Sequence, residues 1–143
     1  MARTAFSTAC GAALLATLVC VAPGAGAETG ERLSPEAFRD YAEGYTLYFE
    51  KDGEVWGSES FEEDGSVVWR YPSGECMPGV WRPYEGNICF YYGLGREVLC
   101  WSMTREGSEI NGVLLDGPDE GLELTITGRD KRPLLCSEGG EQL

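Results

Sequence analysis

The fold class that this sequence predicts is mainly β: an antiparallel up-and-down meander of about eight strands rolled into a small lipocalin-like barrel, with one short N-terminal helix. Three observations predict it. From Tyr45 onward, β-branched and aromatic runs are cut by glycine-bearing turns at a spacing of about 8 to 12 residues. Along those runs apolar side chains recur at every second position, the period of a sheet with one dry face. Four cysteines, Cys76, Cys89, Cys100 and Cys136, accompany the runs, as in a short exported domain supported by disulfides.

The N-terminus explains why an oxidising compartment is expected. Arg3 precedes an almost wholly apolar stretch from Gly11 to Val21, too short to span a bilayer, and Ala25 and Ala27 satisfy the A-x-A-like requirement of signal peptidase. Residues 1–27 are therefore expected to be a signal peptide and residues 28–143 a single β domain, periplasmic or secreted, with no membrane insertion after cleavage. Cys10 and Cys20 lack the context of a lipobox. All 24 acidic residues follow Ala27, together with all but one of the 11 basic ones. Such a balance repels nucleic-acid phosphates and anionic membranes and favours solubility, so no nucleic-acid partner is expected.

One helix is expected. Ser34-Pro35-Glu36 supplies a capping hydroxyl, a proline at the first helical position and a carboxylate in the positive first turn; Gly44 closes the segment. Leu33, Ala37, Phe38 and Tyr41 would form its buried stripe. Strands are expected near residues 45–50, 54–61, 66–71, 79–84, 87–92, 97–103, 109–115 and 121–127.

Turn chemistry sets the register. Three-residue loops at Lys51-Asp52-Gly53 and Glu63-Asp64-Gly65 would pair Phe49 with Val55 and Phe61 with Val67. Tyr45, Leu47, Phe49, Val55, Gly57, Phe61, Val67, Trp69 and Tyr71 then share one face. Even-length loops at Leu94-Gly95 and Glu106-Gly107 extend that face through Ile88, Phe90, Leu99, Trp101, Met103, Ile110, Gly112 and Leu114. Gly57 and Gly112 lie on it near Trp69 and Trp101, where an absent side chain makes room for an indole. Cys89 and Cys100 stand symmetrically about Leu94-Gly95 and face each other, within disulfide reach; Cys76 is left to pair with Cys136. A barrel of this size is ordinarily filled by its own side chains, so a large cavity is not expected.

Most catalytic signatures are missing: the chain has no histidine, and no G-x-S-x-G elbow, P-loop or dinucleotide fingerprint occurs. Without histidine or a C-x2-C pair the cysteines do not read as a zinc site, and no metal or cofactor is expected. The acidic stretch from Asp116 to Glu120 reads as a solvated turn. One carboxylate stands out. Glu59 falls on the apolar face, with Tyr45 expected opposite on one side and Trp69 on the other. Burial of its charge is costly unless Tyr45, Arg70 or solvent satisfies it at a barrel mouth. The sharper expectation is a polar anchor in an aromatic pocket built from Trp69, Tyr71, Trp101 and Tyr45. Trp56 falls on the outer face and would form a surface patch with Tyr48.

The motifs G-x-T at Gly44, G-x-E-x-F at Gly57, C-x-x-G-x-W at Cys76, I-C-F-x-Y at Ile88, C-W at Cys100 and P-L-L-C at Pro133 together resemble a family of small exported alphaproteobacterial proteins with no assigned function. The resemblance implies an exported single domain with disulfides, and no catalytic residues. The sequence favours a non-enzymatic binding or protein-interaction module for an unknown small ligand or protein. The alternative is a small carboxylate-dependent hydrolase or isomerase using Glu59.

Overall fold

The computed structural model describes residues 30–93 and 97–137; the expected leader, the cleavage site after Ala27 and the Leu94-Gly95 turn lie outside them. Eight strands, β2 (Thr46–Lys51), β3 (Glu54–Phe61), β4 (Ser66–Arg70), β5 (Cys76–Tyr84), β6 (Asn87–Tyr92), β7 (Glu97–Glu106), β8 (Glu109–Leu114) and β9 (Glu123–Asp130), each pair antiparallel with the next, and β9 pairs back onto β2. The meander is therefore a closed barrel. Closure removes the two free edges that an open sheet would leave.

A short strand that the sequence did not announce, β1 (Glu31–Arg32), pairs with Arg105 and Thr104 of β7. β6 pairs only with the first half of β7, up to Trp101, so β7 overhangs it. β1 lies on that overhang and leads into helix α1 (Pro35–Ala42).

The helix starts as its sequence dictates. Ser34 Oγ accepts from the Ala37 amide at 3.1 Å, Pro35 occupies the first turn, and Glu36 sits at the positive end of the dipole. Its buried stripe is Pro35, Phe38 and Ala42, not the expected Ala37, which is exposed. Phe38 meets Phe61 and Trp81 edge to face, each at 5.6 Å between ring centroids. The helix thereby stoppers one end of the barrel.

The inner face follows the expected alternation: Leu47, Phe61, Val67, Ile88, Ile110 and Ile126 are all fully buried. Phe61 pairs with Val67 across the second hairpin as the turn chemistry requires. The first hairpin differs. Asp52 and Gly53 both have positive φ, 53° and 81°, and form a two-residue turn between Lys51 and Glu54. A bulge follows, so that Glu50 faces Val55 while Phe49 faces Gly57. Val55 is thus turned outward and is 71% exposed. Beyond the bulge the pairing differs from the expected one by two residues, and a shift of two preserves which side chains point inward. Leu47, not Tyr45, consequently stands opposite Glu59.

Both expected cysteine pairs lie at disulfide distance. Cys89 and Cys100 are directly opposed on β6 and β7, with Cα atoms 4.0 Å apart, and Cys76 joins Cys136 with Cα atoms 5.5 Å apart. The second bridge fastens the C-terminal segment along the barrel. That segment is also held by Thr46 Oγ1 donating to the Arg132 carbonyl at 2.7 Å and by the Ser137 amide donating to the Gly74 carbonyl at 2.8 Å.

Candidate functional site

At the end opposite α1 the barrel is hollow. A cavity of about 320 Å³ opens between the end of β2, the start of β3, the β4–β5 connection and the segment before β9. An eight-stranded barrel can fill its lumen with side chains or hold one small ligand, and this one does both, filled beneath the helix and empty above it. The expectation of a filled interior is corrected on this point. The reason lies in three glycines and the rings that lie over them.

A Cβ at Gly57 would collide with Trp69 Cζ2, one at Gly79 would stand 2.6 Å from Tyr92 Cδ1, and one at Gly112 would stand 2.9 Å from Met103 Sδ and 3.3 Å from Trp101 Cε3. Large flat side chains are therefore laid against the barrel wall, where a neighbouring side chain would have pushed them into the lumen. Phe49 and Trp69 meet at 5.2 Å between centroids, and Trp69 meets Tyr71 at 6.2 Å with planes 84° apart. Two walls of the cavity are thus nearly perpendicular aromatic surfaces.

Glu59 lines this cavity and is 2% exposed. It is not at a rim satisfied by solvent. Its partner is the hydroxyl of Tyr92, which donates to Oε1. Neither expected alternative meets it. Arg70 turns to the outer surface, where Nε donates to the Leu135 carbonyl at 2.8 Å, and Tyr45 lies under Arg129, whose guanidinium carbon is 4.0 Å from the ring centroid. No ion pair among the described residues involves Glu59. Burial pushes its carboxyl from the ordinary 4.5 up to about 8, an effect that the Tyr92 hydrogen bond opposes. At neutral pH the group is mainly protonated.

Of the residues expected to build the pocket, Glu59, Trp69, Tyr71 and Trp101 line the cavity together. Tyr45 does not; it borders a separate groove beneath the C-terminal segment, with Lys131 and Arg132. The expected outer patch is divided. Trp56, at the bulge and 42% exposed, contributes to the cavity mouth, while Tyr48 donates to both carboxylate oxygens of Asp130 at 3.0 Å.

Two polar residues of the cavity lining are not among the expected site residues. Tyr92 shares the parity of Ile88 and Phe90, and extending that alternation by one step would have placed it inside. Asp119 lies, as expected, in an exposed turn, and from that turn it also borders the cavity between β8 and β9. No periodicity marks a loop residue, so nothing in the sequence singled it out.

The chain matches no family model, no curated protein and no solved structure, and the chemistry of the site rests on its own residues.

Proposed function

We propose that this protein is an exported, non-enzymatic binding module that takes one small ligand into the open end of its barrel, with Glu59 as the polar anchor. The observation that carries this reading is a buried carboxyl lining a cavity whose other residues are apolar or aromatic apart from the exposed Asp119. Burying an acid costs free energy, and a protein stabilised only for folding would do better with an apolar side chain of similar volume. The cavity's volume lies at the lower end of the range for small-molecule sites, which suits a compact ligand bearing one polar group. Export is supported by the two cysteine pairs, which form and persist in an oxidising compartment.

A second reading, a hydrolase or isomerase using Glu59 as acid or base, draws on the phenol hydrogen-bonded to it and on Asp119 as a second carboxyl. A small-molecule library screened by thermal shift against the wild type and Glu59→Gln tests both. Binding hits weakened by Glu59→Gln and recovered chemically unchanged by mass spectrometry support the module. Hits converted to product by the wild type alone support the enzyme. Identical melting curves and identical hits for the two proteins would remove Glu59 from either role.

A further inference from the structure

The chemistry of the cavity lining also points to a class of ligand. Glu59 brings a buried carboxyl to the void, Asp119 borders it from the exposed turn before β9, and no lysine or arginine lines it among the described residues. Lys51 lies 5.9 Å from the ring centroid of the lining residue Trp56 and is paired with Asp52 at 2.8 Å. Trp69 and Tyr71 supply perpendicular ring surfaces, with Trp101 and Phe49 beside them. Aromatic faces carry negative potential and attract a desolvated cation, which a neutral or anionic ligand would not exploit. The formal net charge of −13 attracts cations and repels anions before contact.

We infer that the ligand is an organic amine bound as its ammonium ion, with the cationic head between Glu59 and its neighbour Trp69 and the apolar body against the Tyr71 and Trp101 rings. This inference rests on the binding-module reading above and names the ligand class of the same site.

The proton balance follows. Glu59 is mainly protonated in the empty cavity, and an ammonium ion arriving beside it favours the carboxylate. The carboxyl proton leaves to the buffer and the ammonium keeps its own, so one positive charge enters the site and one leaves. Tyr92 stays a donor to Oε1 throughout. Asp119, exposed in the turn before β9, is the other acid that borders the void; Tyr71 and Tyr92 are the phenols.

The test compares phenethylamine, 2-phenylethanol and phenylacetate, which share a ring and chain length and differ in the head group. Isothermal titration of the mature wild-type protein at pH 7, repeated in buffers of different ionisation enthalpy, reads both affinity and proton release. The expected result is binding of the amine at least about tenfold tighter than the alcohol, no binding of phenylacetate, and release of close to one proton. Glu59→Gln should lose the amine preference while retaining the weak binding of the alcohol. Should that variant misfold, the proton count on the wild type decides alone. An alcohol bound as tightly as the amine without proton release overturns the amine assignment and leaves the binding module standing. If none of the three binds at millimolar concentration, the amine assignment falls, and the library screen against wild type and Glu59→Gln decides the binding module.

Discussion

The hydroxyl of Tyr92 on β6 reaches across the lumen to Oε1 of Glu59 on β3, three places away in the barrel. It can do so because Tyr92 pairs with Gly79, and its ring occupies the space that a side chain there would claim. A backbone position on β5 thus controls the protonation environment of an acid on β3. Several measurable consequences attach to this geometry.

Stability should fall as pH rises through the interval between about 4.5 and about 8. The folded state holds the Glu59 proton across that interval and the unfolded state does not, so raising the pH favours unfolding, in total by an amount on the order of a few kcal/mol. Glu59→Gln keeps the volume and an acceptor for Tyr92 but does not titrate. Its denaturant midpoint should depend less on pH than that of the wild type over this range, and the variant should be the more stable protein at pH 9. Parallel slopes would mean that Glu59 titrates normally.

Tyr92→Phe removes the donor that favours ionised Glu59. The Glu59 carboxyl should then titrate still higher than in the wild type, which NMR of the labelled side-chain carboxyl would read. An unchanged or lower titration midpoint would contradict the role assigned to the hydroxyl.

Gly57→Ala and Gly79→Ala each place a Cβ within 2.8 Å of a backbone carbonyl oxygen, of Arg70 and of Tyr91 respectively, besides displacing a ring. Backbone cannot yield as a flexible side chain can, and each change should cost about 1–3 kcal/mol. Gly128→Ala is the control. A Cβ there meets nothing within 4 Å, and the substitution should be neutral or slightly stabilising by urea denaturation.

The two disulfides should contribute unequally. Cys76 and Cys136 are 60 residues apart and Cys89 and Cys100 are 11 apart. On the loop-entropy model the first bridge stabilises by roughly 4 kcal/mol and the second by roughly 3. Paired Cys→Ser variants, compared by denaturant unfolding, should show the larger loss for Cys76 and Cys136. Peptide mapping without reduction should recover these two linkages, and a Cys76 to Cys89 peptide would contradict the fold.

Much of the barrel could be read from turn chemistry and alternation because both are local. Cys89 and Cys100 were placed opposite each other by counting from one turn. Gly57 and Gly112 were matched to their indoles by parity alone. The first hairpin departs from the expected register because Asp52 adopts a left-handed conformation beside Gly53, which shortens the turn, and a bulge follows. Between the turn and the bulge Val55 is turned outward; beyond the bulge the register shift is even, so the rest of the inward face is kept, yet Leu47 replaces Tyr45 opposite Glu59. β1 was missed for another reason: two residues carry no period, and their pairing depends on the overhang of β7.

Composition, turn residues and the two-residue period were sufficient to establish a cysteine-paired β domain with one acid on its dry face. They act between neighbours in the chain, where a few dihedrals and one hairpin decide the outcome. Whether the lumen was filled or hollow, and which group met Glu59, depended on how side chains from all eight strands divided a common volume. That sum involves Gly79, Tyr92 and Asp119, which are remote from Glu59 in sequence and become its surroundings only when β9 closes onto β2.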